Sequence, residues 1–285
     1  MSRPASRDGV CAVDLDSVRT VVPAAVAGRW QAGDAWLAGG TYLFSEPQRH
    51  LRRLRDLAGE DWPPVTATPR GLDIAATCTI AELARSAAAH PTALRDLIQK
   101  CCEAFLASFK IWNTATVGGN LCTALPAGPM ISLGAALDGT CLLLTAEGDR
   151  RELAVADFVT GEGTTALVPG EFLRSMTLPA ATLRSPSAFR RGSLFVGGRS
   201  AALLVGRTDP AEGSFVLTVT ASTVRPVQLR FDALPTAETL RQAVTDGIPA
   251  ERYVDDVHGL PRWRRHLTLL FAEQIRAELA GRSAR

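Results

Sequence analysis

The chain has 285 residues, 46% hydrophobic and 21% charged, a balance that excludes a disordered protein and suits two or three packed units. Its 31 Lys and Arg offset 29 Asp and Glu, and a net charge of +2 excludes any general pull toward nucleic acid or an anionic membrane. The basic runs Arg52-Arg53-Leu54-Arg55 and Arg262-Trp263-Arg264-Arg265 are short and interleaved with apolar residues, which makes them solvated faces rather than a binding patch.

Val18, Val21, Val22, Ala25 and Val26 fall at helical spacing and predict a short packed helix, begun or kinked at Pro23. Ala35-Trp36-Leu37-Ala38 predicts a short buried strand running into Gly39-Gly40. From Leu51 to Leu57 a basic stretch runs into a strand end, Pro63-Pro64 marks a loop, and Gly71 to Ala76 alternates as a strand. Thr79-Ile80-Ala81-Glu82 has the form of a capping box, and the helix it opens is expected to stop near His90-Pro91. A second helix carries Leu94, Leu97, Ile98, Cys101 and Phe105 on one face and leads toward Thr116. Ala135-Ala136-Leu137 then predicts a helix, Thr140 to Leu144 a buried strand and Glu147-Gly148-Asp149 a hairpin turn. Further strands are punctuated by Val155 to Phe158 and Pro169 to Leu173 and close at Met176 to Pro179, while Ala180 to Pro186 has no periodicity and reads as a linker. Strands around Ala201 to Val205 and Phe215 to Ala221 follow. Leu267, Leu270, Phe271, Ile275 and Leu279 repeat at helical spacing after Pro261. Helices alternating with short apolar strands place the chain in the mixed helix-and-sheet class.

Two glycine pairs carry the candidate chemistry. Gly118-Gly119, entered by Thr116-Val117 and left by Asn120, suits a backbone that turns tightly and admits an anionic ligand. Ala38-Gly39-Gly40-Thr41 is a second such turn, and a strand, a glycine turn and then Thr41-Tyr42-Leu43-Phe44 is the construction of a phosphate nest. Either pair alone is more often a plain turn; it is their joint occurrence that singles them out. No G-x-G-x-x-G occurs, so a Rossmann site has no support. Cys11, Cys78, Cys101, Cys102, Cys122 and Cys141 show no C-x-x-C spacing, and His50, His90, His258 and His266 are scattered. The cysteines therefore read as small buried residues in a reducing compartment. Met1 to Ser6 carries no apolar signal core, and no apolar run reaches the ~18 residues of a membrane span, so a cytoplasmic location is expected.

In order along the chain, four stretches resemble one family. Trp36 to Leu43 resembles the A-G-G-T-D-L segment, and Thr116 to Asn120, followed by Thr123-Ala124, resembles T-I-G-G-N and its T-A. Asp157-Phe158, Gly161, Thr165-Ala166-Leu167 and Pro169-Gly170-Glu171 resemble a D-F-F-x-G-x-x-x-T-x-L-x-P-x-E region. Asp256-Val257-His258-Gly259 with Arg264-Arg265-His266-Leu267 resembles a closing D-x-R-G…Y-R-R-H-L signature. By these residues the chain is similar to the FAD-binding medium subunit of the molybdenum hydroxylases, the family of xanthine dehydrogenase, aldehyde oxidoreductase and carbon monoxide dehydrogenase.

The resemblance implies an α+β fold: a two-lobed FAD-binding domain of the vanillyl-alcohol-oxidase (PCMH) type over residues 10–180, with lobes at about 10–57 and 58–180, then a small C-terminal α/β domain over 186–283. It implies noncovalent FAD held by Trp36, Leu37, Ala38, Gly39, Gly40, Thr41, Tyr42 and Leu43, and by Thr116, Val117, Gly118, Gly119, Asn120 and Thr123. The backbone N–H groups of both glycine turns would hold the diphosphate. Leu106 and Leu173 match positions lining the flavin, and Arg190 stands where relatives of xanthine dehydrogenase carry a lysine. No catalytic residue or metal ligand is implied in this chain. Molybdopterin and iron–sulfur clusters would sit in a large and a small partner subunit of a hetero-oligomer, and FAD here would pass their electrons to an acceptor.

Two departures stand out. Leu125-Pro126-Ala127-Gly128-Pro129 replaces a stretch like S-P-I-S-D, so Pro129 occupies a carboxylate position and one FAD anchor fewer is expected. Tyr42 likewise stands where a carboxylate is common. Two other readings remain open: a structural subunit that kept the fold without flavin, and a stand-alone flavin oxidase. Many oxidases of that kind tether flavin through a histidine near the first glycine turn, and here no histidine lies between Arg3 and Gln48.

Overall fold

The computed structural model describes residues 17 to 283. Cys11 and the expected domain start at residue 10 lie outside the described residues. The first unit is a small parallel sheet of β1 (Thr20–Pro23), β2 (Asp34–Leu37) and β3 (Arg53–Asp56), ordered β1-β3-β2. Where a packed helix was expected, Thr20 to Pro23 is a strand followed by a single 3-10 turn at Ala24–Val26. The stiff β-branched run Thr20-Val21-Val22 favours extended backbone, and it pairs with Leu54 and Arg55. Val21 and Val26 are 56% and 73% exposed, so the apolar spacing there marks no buried face.

Buried charge organises this sheet. Arg53 binds the Asp34 carboxylate through two nitrogens at 2.8 and 2.7 Å, and Arg55 Nε reaches it at 2.8 Å. The Arg55 guanidinium is buried against the Trp30 and Trp36 rings, 5.1 and 5.3 Å from their centroids. Burial alone would raise the Asp34 pKa, but hydrogen bonds from Arg53, the Gln31 amide and Arg55 more than offset it and bring it down to about 2.

The second unit is a five-stranded antiparallel sheet in the order β4-β5-β10-β6-β7, formed by Val65–Thr68, Gly71–Ala75, Glu171–Pro179, Thr140–Thr145 and Arg150–Ala154. Helices α1 (Ile80–Ser86), α2 (Thr92–Ala104), α3 (Phe109–Trp112), α4 (Val117–Thr123) and α5 (Pro129–Ala136) follow β5, and α6 (Val155–Phe158) follows β7. Thr79 forms the expected capping box with Glu82, and α1 gives way to a 3-10 turn before Pro91. Helix α2 buries Leu94, Leu97, Ile98, Cys101 and Cys102 in a core shared with Ile74, Leu121 and Met176. Beyond α6, β8 (Val159–Gly161) and β9 (Thr164–Thr165) form a small hairpin.

The third unit is an antiparallel sheet, β11-β12-β13-β14, from Ser187–Ser193, Ser200–Thr208, Phe215–Thr220 and Val227–Phe231, with helices α7 (Ala237–Gly247) and α8 (Pro261–Ser283). All residues of β12 but its last are buried because both faces are covered. Leu204 packs in a core with Ala272 and Ile275 of α8, whereas Leu203 and Val205 join the core that holds α5. Polar contacts pin the junction: Arg207 Nε donates to Ala136 O at 2.9 Å, Gln228 Nε2 to Ala135 O at 2.6 Å, and Arg207 and Arg230 both ion-pair with Asp138. These bonds satisfy carbonyls at the end of α5. The stretch expected as a linker is packed: Thr182 Oγ1 donates to Leu137 O at 2.8 Å, and Ser185 is buried. No helix among the described residues is long and apolar enough to cross a membrane.

Candidate functional site

A cavity of about 620 Å³ opens between the turn after β2, the segment around α3 and α4, and the start of β10. Its size falls in the range of small-molecule and cofactor pockets. Every residue from Trp36 to Leu43 lines it, as do Leu106, Thr116, Gly118, Gly119, Asn120, Thr123 and Leu173. Val117 does not: its side chain is buried in the core under α4. Arg190 does not line it either; it pairs with Glu278 at 2.8 Å and with Gln274 on α8.

The first glycine pair is shaped by close approach. A Cβ on Gly39 would lie 1.9 Å from the Thr114 carbonyl oxygen, so this turn runs against the backbone that leads into α4. Gly40 has φ +69, a left-handed conformation that glycine adopts without strain. In this turn the backbone N–H groups of Ala38, Gly39, Gly40, Thr41, Tyr42 and Leu43 donate to no protein acceptor among the described residues. Six consecutive amides without a protein acceptor, in a segment that lines a cavity, supply the kind of donors an anion cradle needs.

The second pair is built differently from the tight turn expected of it. Gly118-Gly119 lies in the first turn of α4, which begins at Val117 with Thr116 as N-cap. Each N–H there is already used: Val117 donates to Cys78 O at 2.8 Å, Gly118 to Ala76 O at 2.9 Å, Gly119 to Thr116 Oγ1 at 2.9 Å and Asn120 to Thr116 O at 3.0 Å. Gly118 is required because a Cβ would fall 2.5 Å from Ala76 Cβ. What this segment offers the cavity is side-chain donors, namely the Thr116 hydroxyl and the Asn120 amide nitrogen. Asn120 Oδ1 accepts from Met130 N at 3.0 Å and so caps α5. Pro129 is the first residue of α5, is buried, and does not line the cavity.

An apolar wall closes the other side. Phe172 and Leu173 are successive residues and both line the cavity; β10 bulges directly after them, between Leu173 and Ser175. The bulge is anchored by Ala76 N, which donates to Arg174 O at 2.9 Å. Just upstream, Glu171 accepts from Arg151 Nε and Nη2, each at 2.7 Å, and from the Val168 amide at 2.9 Å; the Arg151 hydrogen bonds hold its pKa below the usual range. The Trp36 ring stands 4.6 Å from Phe172 and joins the first lobe to this wall, with its indole N–H sealed from solvent and unpaired. Cys122 also lines the cavity, and burial pushes its thiol up to about 12, so it stays neutral.

Sequence reasoning missed Phe105, Ile111, Phe172 and Arg199 as lining residues. Phe105 ends the apolar face of α2, and Phe172 adjoins Leu173, so proximity to the matched motifs was the available signal; Arg199 had none. Among the described residues no cluster of His, Cys, Asp and Glu is arranged to hold a metal ion. The donor set instead fits a dinucleotide such as FAD: free amides for a diphosphate beside apolar and aromatic walls for a ring system.

Residues 26–181 match the family described as the FAD-binding domain in molybdopterin dehydrogenase. A stretch of 84 residues is 36% identical to rice (Oryza sativa subsp. japonica) xanthine dehydrogenase, spanning 27% of this chain and 6% of that protein. The fold matches quinoline 2-oxidoreductase from Pseudomonas putida 86, with TM-score 0.75 and 19% identity over 93% of this chain and 97% of that one. It also matches CO dehydrogenase from Oligotropha carboxidovorans, with TM-score 0.75 and 22% identity over 91% and 96% of the two chains. The FAD-binding fold that the family resemblance implied is thus the fold of this chain, which belongs to the family of FAD-binding domains of molybdopterin dehydrogenases.

Proposed function

We propose that this chain is the FAD-bearing electron-transfer subunit of a molybdopterin-dependent hydroxylase or dehydrogenase complex. In this reading residues 10–180 form the FAD domain and 186–283 the C-terminal domain, and the chain works in the cytoplasm between partner subunits that carry molybdopterin and iron–sulfur clusters. The observation that carries it is the run of six free amides from Ala38 to Leu43 on the wall of a 620 Å³ cavity, in a chain of this family. When bound, FAD supplies the exchange of electrons in steps of one or two. The chain's own residues bind and position. The Ala38 to Leu43 amides hold the diphosphate, the Thr116 hydroxyl and Asn120 amide add donors, and Leu106, Phe172 and Leu173 exclude water.

The test is a visible spectrum of the purified protein together with assays of the isolated chain. Flavin absorbance released as intact FAD on denaturation, copurifying iron and molybdenum, and no turnover of purines, aldehydes or carbon monoxide by the chain alone are the expected results. A colourless chain that takes up no added FAD sinks the assignment. Substrate-dependent turnover by the isolated chain would replace the relay with a stand-alone oxidase.

A further inference from the structure

We infer that Arg199 is a ligand-contacting residue that pairs with negative charge on the bound dinucleotide, an inference that rests on the FAD reading above. Of the described residues that line the cavity, Arg199 alone carries a formal charge. It is also the one lining residue beyond Leu173 in sequence, so the third sheet reaches the cavity through it. Its guanidinium has no hydrogen-bond or ion-pair partner among the described residues.

Its position is fixed from both sides. Arg191 on β11 donates through Nε to Ser200 Oγ at 2.7 Å and through Nη2 to Gly198 O, so both neighbours of Arg199 are clamped by one side chain. Ser200 is buried, and Gly198 N closes a turn on Phe195 O at 2.9 Å. The loop therefore presents one residue from a braced backbone and leaves that residue's charge unmatched. The Ala38 to Leu43 amides are neutral donors, and neither lobe contributes a cation to the cavity wall. A dinucleotide brings two phosphate charges, and a ring that accepts electrons develops another. A planar guanidinium with five donors suits either. The shared chemistry is a charge-assisted hydrogen bond to an anionic acceptor.

The experiment compares wild type, Arg199→Gln and Arg199→Lys as the full chain with whatever partners copurify. Affinities for FAD, ADP and riboflavin are measured by calorimetry, and the midpoint potential of bound FAD by spectroelectrochemistry. If the guanidinium meets the diphosphate, Arg199→Gln weakens FAD and ADP alike by about ten- to a hundred-fold and leaves riboflavin unchanged. If it meets the ring, affinity for oxidised FAD holds while the midpoint falls by about 30 mV for each ten-fold selective loss of the reduced form. Either outcome, with partial retention in Arg199→Lys, supports the inference. Wild-type FAD affinity together with a wild-type midpoint in Arg199→Gln overturns it and leaves the FAD reading standing. A wild-type preparation that binds no FAD overturns both.

Discussion

Gly39 and Gly119, one from each glycine pair on the cavity wall, differ in what a side chain would displace. At Gly39 an added Cβ meets backbone, 1.9 Å from Thr114 O, so the turn itself would have to move. At Gly119 the nearest obstacle is the Thr116 hydroxyl at 2.9 Å, and the backbone is already helical. Gly119→Val is therefore the informative substitution. Its higher helix propensity offsets part of the cost of disturbing the cap, so the protein is expected to stay folded. The branched side chain enters the cavity wall and should abolish flavin binding, read as the ratio of flavin to protein absorbance. Normal flavin content in a folded Gly119→Val protein would remove Gly119 from the site. Both glycine pairs were legible in the sequence, but their separate roles were not. Free and committed amides look identical in a string of residues, and only the partners, Ala76 O for Gly118 and Thr116 Oγ1 for Gly119, show that the second pair is spoken for.

At the scale of elements, α4 is short and carries two glycines, the poorest non-proline helix formers, in its first turn, so its start depends on capping. Thr116 supplies it by accepting from Gly119 N at 2.9 Å, and it lines the cavity as well. Thr116→Ala should cost about 1 kcal/mol in urea unfolding, with Thr116→Ser close to wild type. An unchanged midpoint in Thr116→Ala would mean that packing of Val117 and Leu121 alone holds the helix. Sequence reading favoured a turn here because Gly-Gly punctuates chains more often than it starts helices. What overrides propensity is the Gly118 contact with Ala76, a tertiary fact. The capping box at Thr79 and the amphipathic face of α2 were legible because their signals are local and periodic. Residues 18–26 failed for the converse reason: five apolar residues at helical spacing carry no information on whether a face is covered, and Val26 is mostly exposed.

At the scale of the whole molecule, two carboxylates hold parts that the chain visits far apart in sequence. Asp34 binds Arg53 and Arg55 inside the first lobe, and Asp138 joins the end of α5 to Arg207 and Arg230 of the third sheet. For both, burial works against ionisation. Hydrogen bonds from Arg53, Gln31 N and Arg55 bring Asp34 down to about 2, and those from Arg230 and Gln228, together with the Arg207 charge, lower Asp138. The sign follows from linkage. A folded-state pKa below the unfolded one adds stability that is complete above the unfolded value near pH 4 and is lost as pH falls through the folded value. The shift at Asp34, from 3.8 to about 2, corresponds to roughly 2 kcal/mol. Stability in urea at fixed temperature should therefore hold between pH 7 and about 5 and fall steeply from pH 4 toward pH 2. Asp34→Asn tests the assignment, because it removes the titrating group and strands the buried Arg55 guanidinium. It should lower stability at pH 7 by about 3 to 5 kcal/mol and flatten the acid limb by the Asp34 share. A variant as acid-sensitive as wild type would assign that limb to other groups, with Asp138 at the junction the next to test through Asp138→Asn.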